Sequence, residues 1–302
     1  MVDITHKNHT LRTAVAQAIV KVSRQETVDA VKNKTVPKGD VFEMAKTAGL
    51  FAAKKTSDMI PDCHPLPVEY TGISYEINGF EIEIKVEIKT IYKTGVEVEA
   101  MHAASVVALT MYDMLKPIDP EIEIRHIKLL QKKGGKSDKK DLFETPVKTA
   151  VVVCSDSVSS GSKEDSSGKA IIEKLKNHPV EIGAYDIIPD GVESIQSQIG
   201  KHLEKDVELI LITGGTGLSK RDFTPEAVQP MLHREIPGIG EYLRQYGQER
   251  MPYAILSRSV GGLIGNTLVI AVPGSTRGAG ESIDALFPHV LHIFKMIHSG
   301  KH

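Results

Sequence analysis

The sequence predicts two domains of different class, an α+β first half built on an antiparallel sheet with helices and an α/β second half with a mostly parallel, open sheet. Three observations carry that expectation. Apolar and charged residues alternate on either side of Asn78-Gly79, three short continuous apolar runs punctuate the second half, and a polar stretch without apolar period separates the two. The chain has 302 residues, enough for two domains of about 150 residues, each able to bury a core.

In the first half, a helix is predicted from Val41 to about Thr56, with Ala45, Ala48 and Ala52 on one stripe. Ile73, Tyr75 and Ile77 then alternate up to Asn78-Gly79, the strongest short hairpin signal. Beyond the turn, Ile82, Ile84, Val86 and Ile88 alternate with Glu81, Glu83, Lys85, Glu87 and Lys89, so one face packs inward and the other meets water. An alanine-rich helix follows from about Glu97 to Lys116. Between Leu130 and Lys148 the run QKKGGKSDKKDLFETPV lacks any apolar period and reads as the domain boundary. This bounds a first domain at 1–138, a flexible linker at 139–147 and a second domain at 148–302. The Gly134-Gly-Lys-Ser137 segment is not a P-loop, because that motif requires glycine where Leu130 stands.

In the second half, 150–154, 208–212 and 268–272 are apolar runs of the kind found in buried parallel strands, and a fourth strand ends at Pro189-Asp190. Helical spacing links Val192, Ile195, Ile199 and Leu203, and again Ile283, Leu286, Val290 and Phe294. Ligands of such sheets bind at the carboxyl ends of the strands. The loops expected there are SDSVSSG from Ser155, the Pro189-Asp190 turn, TGGTGLSKRD from Thr213 and PGSTRG from Pro273.

The formal net charge of −2 gives no whole-molecule attraction to nucleic acid or to an anionic membrane. Two cysteines without disulfide or metal spacing suit a reducing compartment, so cytoplasm is the expected location. No signal-like segment or membrane-length apolar run is present.

Three glycines within five residues free the backbone N–H groups of 213–217 for an anion, and Lys220, Arg221 and Asp222 add two cations and a carboxylate. A phosphate ester with a divalent metal would use such a set. Asp222 read alone is equally a carboxylate near the N-terminus of a helix opened by Pro225, and Asp190 a turn residue beside Gly191. Cys154 lies in an apolar strand and reads as a packing residue. In the first half, Asp113 and Lys116 stand three apart on one helix face, as an ion pair or an acid/base pair. Glu99 and Asp113 are fourteen residues apart on that helix, about 21 Å at 1.5 Å per residue. One small substrate cannot touch both in one chain, so either the functions are divided or a second subunit completes each site. Cys63-His64 lacks a third soft ligand at zinc spacing.

SDSVSSG with Asp165-Ser-Ser-Gly168, the Ile188-Pro-Asp190 turn, TGGTGLSKRD with Thr224-Pro-Glu-Ala227, and Pro273-Gly-Ser-Thr276 together resemble the MoaB/Mog family of molybdopterin-binding proteins, over residues 148 to about 294. The VPGSTRG form of the last loop is similar to the MoaB branch. The resemblance implies Mg-ATP-dependent attachment of AMP to the phosphate of molybdopterin, with Gly214, Gly215, Thr216 and Gly217 cradling phosphate and Asp190 and Asp222 holding Mg²⁺. A non-catalytic pterin-binding scaffold and a phosphotransferase with another acceptor remain alternatives.

In the first half, DCHP at 62–65, KTGVEVEA at 93–100 and ALTMYDMLK at 108–116 resemble the MoaC family, the cyclic pyranopterin monophosphate synthases, over residues 1 to about 138. The resemblance implies conversion of cyclised GTP to cyclic pyranopterin monophosphate with release of pyrophosphate, without a cofactor. Position by position, Asp113 would be the catalytic acid/base, assisted by Lys38 and Lys116. Arg12 and Lys93 would be further cationic contacts, and Asp62, Cys63, His64, Val98 and Glu99 would line the substrate pocket. The family is hexameric with sites shared between subunits, so the partners expected are pterin and nucleotide substrates, further copies of the chain and other enzymes of molybdenum cofactor synthesis.

Overall fold

The computed structural model describes residues 1–135, 138, 141 and 143–299, without the side chains of the last two. The chain divides into two compact units, Met1–Lys139 and Lys140–His302. Among the described residues no helix is long and apolar enough to cross a membrane.

The first unit runs β1 (Thr10–Lys21), α1 (Gln25–Lys32), α2 (Val41–Lys54), α3 (Thr56–Met59), β2 (Tyr70–Asn78), β3 (Glu81–Tyr92), α4 (Glu97–Leu115) and β4 (Glu123–Lys133). Its sheet has the order β2-β3-β1-β4, and every neighbouring pair is antiparallel. The hairpin closes at Asn78, paired with Glu81, with Gly79 at a φ of +60° that glycine adopts freely. Ala14, Ala16, Ala18 and Val20 of β1 and Ile82, Ile84, Val86 and Ile88 of β3 are fully buried in a core shared with Ala100, Ala103, Ala104 and Val107 of α4. Small side chains let α2 come close to α4: a Cβ on Gly49 would lie 2.5 Å from Val107 Cγ2. The helix expected to reach Thr56 stops at Lys54, where a short turn of helix takes over.

Strand β1 is absent from the sequence reading because its buried face is mostly alanine, a poor strand indicator. The polar boundary also begins later than expected. Gln131, Lys132 and Lys133 still belong to β4 and pair with β1, with lysine and glutamine rather than apolar residues marking the strand. Lys136 and Ser137 of the rejected P-loop lie outside the described residues.

The second unit runs β5 (Val147–Cys154), α5 (Asp156–Ser159), α6 (Ser167–Leu175), β6 (Val180–Ile188), α7 (Val192–Leu203), β7 (Leu209–Thr213), α8 (Thr224–Val228), β8 (Arg234–Glu235), α9 (Pro237–Gln248), β9 (Val260–Ile264), β10 (Thr267–Val272), α10 (Thr276–Leu286) and α11 (His292–Ser299). The sheet order is β6-β5-β7-β10-β9-β8, parallel through β10 and antiparallel for the last two strands. Apolar side chains fill both faces. Val151, Leu209, Leu211 and Ile270 pack with α6, α9 and α10 on one side, and Val152, Ile210, Ile212 and Val269 with α7 and α8 on the other. The antiparallel edge was unanticipated because β9 reads VGGLI, where two glycines mask the strand. The spacing that joined Ile283 to Phe294 as one helix is interrupted: α10 ends at Leu286, and Phe287 is extended at φ −94°, ψ 143°, as a residue preceding proline tends to be. Asp141, expected in a free linker, pairs instead with His292 Nδ1 at 2.9 Å and Lys295 Nζ at 3.0 Å.

Candidate functional sites

At the C-terminal end of α4, Asp113 carries two ammonium groups. Lys116 Nζ lies 2.8 Å from Oδ1 and Lys38 Nζ 2.7 Å from Oδ2. Lys38 Nζ also donates to the Asp113 carbonyl at 2.9 Å, one of the carbonyls a helix end leaves without an intrahelical partner. Gly39, at φ +102°, turns the chain from Lys38 into Asp40, whose carboxylate caps α2 through the N–H groups of Phe42 and Glu43. The hydrogen bonds from Lys116 and then Lys38 hold the Asp113 carboxyl down at about 2, and the same bond raises Lys116. This is an exposed, preassembled group of two cations and one carboxylate.

The first turn of α4 holds a different arrangement. Glu99 is only 2% exposed. The Cys63 thiol donates to its Oε1 at 3.2 Å, while Oε2 is buried without a partner among the described residues. Burial pushes the Glu99 carboxyl up, against the opposing pull of a backbone N–H and the thiol. Burial and the neighbouring Glu99 push the Cys63 thiol up to about 12. His64 Nε2 lies 2.8 Å from the Val2 carbonyl, Asp62 pairs with the Met1 amino group at 2.7 Å, and Val98 is exposed beside Glu99. Cys63 and Glu99 therefore meet at one end of α4, with His64 next in the chain but turned to Val2, and Lys38, Asp113 and Lys116 gather at the other, about 21 Å from Glu99 at the helical rise. Arg12 lies toward the same end of α4 as Glu99, with Glu97 of the first turn as a charge neighbour. Its guanidinium donates to the carbonyls of Tyr92, Gly134 and Lys93 at 3.2, 2.9 and 3.5 Å. Burial lowers its pKa.

A buried acid with a raised pKa favours folding while protonated, below the ordinary carboxylate range, and loses that contribution as pH rises through its folded pKa. Glu99→Gln, which cannot ionise, is therefore expected to melt above wild type near pH 8, with the gap closing near pH 4. Parallel melting curves for the first unit at the two pH values check this.

In the second unit, the loops at the carboxyl ends of β5, β6, β7 and β10 touch one another in a ring. The Asp156 N–H donates to Asp190 Oδ2 at 3.2 Å, and the Asp190 N–H to Asp156 Oδ1 at 3.0 Å. A Cβ on Gly215 would lie 3.4 Å from Asp190 Oδ1. Thr213 Oγ1 donates to the Pro273 carbonyl at 2.9 Å, and the hydroxyls of Ser166 and Thr276 meet at 2.5 Å. Gly214 and Gly215 sit at φ +107° and +61°, and Gly214 lies so close to the Cys154 carbonyl that a Cβ would be 2.1 Å from it. Cys154 is buried as expected, and burial pushes its thiol up to about 12.

Asp222 does not cap α8. Its Oδ2 accepts from the Ser219 N–H at 2.6 Å, and a Cβ on Gly217 would lie 2.9 Å from the same oxygen. Asp190 is pushed up by burial and further by the nearby negative charges of Asp156 and Asp222. Among the described residues no group of three or more His, Cys, Asp or Glu is arranged as a metal site. The carboxylates of Asp190 and Asp222 are hard oxygen donors, the type a divalent cation such as Mg²⁺ takes.

Two residues of this site escaped the sequence reading. Asp156 stood within the quoted SDSVSSG loop without a role. Arg258 comes from a segment with no motif of its own, yet its Nε donates to the Gly217 carbonyl and its Nη2 to the Asp222 carbonyl, each at 2.7 Å. Its backbone N–H donates to the Thr216 carbonyl at 3.0 Å, and its Nη1 pairs with Glu226.

Residues 1–135 match the MoaC family, and residues 150–292 match the family described as "Probable molybdopterin binding domain". The chain is 38% identical over 302 residues to the molybdenum cofactor biosynthesis bifunctional protein of Chlorobaculum tepidum, covering 100% of this chain and 96% of that protein. It is 37% identical over 311 residues to the protein of the same description from Synechococcus elongatus, covering 98% of this chain and 97% of that one. Its first unit is 46% identical over 139 residues to the cyclic pyranopterin monophosphate synthase of Nitratidesulfovibrio vulgaris, covering 45% of this chain and 86% of that enzyme. With a MoaC-family unit preceding a molybdopterin-binding-type unit, and a full-length relative of the same organisation, the chain belongs to the bifunctional proteins of molybdenum cofactor biosynthesis.

Proposed function

We propose that the first unit converts cyclised GTP to cyclic pyranopterin monophosphate, releasing pyrophosphate, and that the second binds molybdopterin and transfers AMP to its phosphate from Mg-ATP. For the first unit the observation that carries the reading is the clamp of Lys38 and Lys116 on Asp113. A carboxylate held at about 2 is a weak base at neutral pH. A triphosphate that draws the two ammonium groups to itself frees Asp113, whose pKa then rises toward the usual carboxylate range. The base is thus activated by substrate binding, and the lysines pass from masking it to neutralising the departing pyrophosphate. Glu99, Cys63 and His64 belong to the same reaction but to a neighbouring subunit's site, since α4 holds them about 21 Å from Asp113. The active form is then a homo-oligomer, a hexamer by its likeness to the MoaC family.

For the second unit the supporting observation is that Asp190 and Asp222 lie against the glycine loop, where Cβ atoms on Gly215 and Gly217 would be 3.4 and 2.9 Å from their carboxylate oxygens. Gly215, Thr216 and Gly217 would offer backbone donors to phosphate, while the Gly214 N–H, which donates to the Val272 carbonyl at 3.3 Å, ties the start of the loop to β10, and Asp190 and Asp222 would hold Mg²⁺. When bound, the cation supplies charge neutralisation between two anionic phosphates. The residues' own part is to hold the pterin phosphate in line with the α-phosphate of ATP.

Subunit mixing tests the shared site. Glu99→Ala and Asp113→Asn chains are each expected to be inactive as synthases. Denatured together and refolded, they should regain roughly a quarter of wild-type activity, because random pairing restores both native residues at that share of two-subunit sites. Light scattering should give a mass well above the 33.0 kDa chain. A fully active monomer, or mixed chains with no recovery, would refute the shared site.

A further inference from the structure

We infer that Arg258 is the positioning residue of the second site: it sets the shape of the glycine loop, and with it the place of the Asp222 carboxylate. This rests on the proposed AMP transfer. The segment from Gly217 to Asp222 lies between β7 and α8 and is closed internally only around Ser219: its N–H and carbonyl bond reciprocally with Asp222, whose N–H donates to that carbonyl at 3.0 Å, and its Oγ accepts from the Arg221 N–H at 3.1 Å. Such a loop of exposed residues has no core of its own; Leu218, Ser219, Lys220 and Arg221 all face solvent. Arg258 supplies what it lacks. One planar guanidinium spans both ends of the segment, taking the Gly217 carbonyl on Nε and the Asp222 carbonyl on Nη2. A third nitrogen, Nη1, pairs with Glu226 of α8, and the Arg258 N–H holds the Thr216 carbonyl.

The rigid fork of arginine fits this task in a way that a lysine ammonium on its flexible stem does not. Holding the carbonyls of Gly217 and Asp222 fixes the two ends of the segment and with them the place of the Asp222 carboxylate, while the Thr216 carbonyl held by the Arg258 N–H shares its peptide unit with the Gly217 N–H of the phosphate cradle. Arg258 follows the short helical segment after α9 and precedes β9, the antiparallel strand that pairs with β10, so the loop geometry is tied to the sheet itself. Its nitrogens are engaged by the protein, which makes it an organiser of the site rather than a contact of the reacting phosphates.

The test uses the full chain with Arg258→Lys, Arg258→Ala and Glu226→Gln. Arg258→Lys should keep the melting temperature of the second unit and the synthase activity of the first. Its kcat for AMP transfer should fall about a hundredfold, and the Mg²⁺ concentration for half-maximal rate should rise at least tenfold, while its Kd for molybdopterin alone rises by less than tenfold. Glu226→Gln, which removes only the charge of the outer partner, should lose less than tenfold, and Arg258→Ala should lose at least as much as lysine. Arg258→Lys with wild-type kcat and Mg²⁺ dependence would overturn the assignment. So would a parallel loss of molybdopterin binding and melting temperature, which would make Arg258 a general support of the fold. If the wild-type chain transfers no AMP, that reading fails on its own. Arg258 is then judged by Mn²⁺ binding to the chain with ATP, followed by electron paramagnetic resonance: at least tenfold weaker binding in Arg258→Lys supports the role, and equal binding overturns it.

Discussion

Asp113→Asn is expected to lower cyclic pyranopterin formation by about 10²- to 10⁴-fold, the range that loss of a positioned proton-transfer group produces. The substitution keeps the shape of the side chain and one acceptor oxygen. It also turns an NH₂ group toward one of the two ammonium groups that now lie 2.7 and 2.8 Å from the carboxylate. Exposed ion pairs of this kind contribute little to stability, so the melting temperature of the first unit should hardly move. AMP transfer by the second unit should be untouched. Near-normal synthase turnover by this variant would show that the proton is taken elsewhere, with Glu99 the first residue to test.

The second large effect is expected at Asp222. Asp222→Asn retains an oxygen able to accept the Ser219 N–H, which wild type holds at 2.6 Å, so the turn should survive and the melting temperature with it. An amide is a far poorer ligand for Mg²⁺ than a carboxylate. AMP transfer should therefore fall by about 10²-fold or more, the scale of losing one preorganised electrostatic element of a transition state. The alternative role, a partner for the positive end of α8, has no support in the bonding, since the carboxylate turns to Ser219 and the residue at the helix start, Phe223, makes no side-chain cap. Asp222→Asn that adenylylates normally would make the carboxylate structural. Synthase activity, measured on the same sample, should remain at wild-type level, the mirror image of Asp113→Asn.

What could be read without coordinates follows the range of the interactions. Strand β3 announces itself because isoleucine and charge alternate residue by residue, and β5, β7 and β10 because burial on both faces makes them continuously apolar. Strand β1 has the same period written in alanine, β4 ends in lysines, and β9 carries two glycines, so in each the identity of the side chains hides the conformation. The break after α10 was legible in Pro288 but outweighed by the apolar spacing on either side of it. At the sites, local pairs were open to inspection: Asp113 and Lys116 are three apart, and the glycines of 213–217 stand together. The Lys38–Asp113 contact closes over 75 residues, Cys63–Glu99 over 36 and Arg258–Gly217 over 41. Lys38, Cys63 and Glu99 gain a role in the site only through likeness to a family. Arg258 was not reached at all, because nothing near it in the chain shows which carbonyls it will meet.

The proposed function places two reactions at two separate phosphate sites on one chain. Its most direct test is product analysis by mass spectrometry of the purified full chain, given cyclised GTP in one tube and molybdopterin with Mg-ATP in another. The account predicts cyclic pyranopterin monophosphate and pyrophosphate in the first, and adenylylated molybdopterin and pyrophosphate in the second. Molybdopterin recovered bound but unmodified, with ATP unconsumed, would contradict it and leave the second unit a pterin carrier.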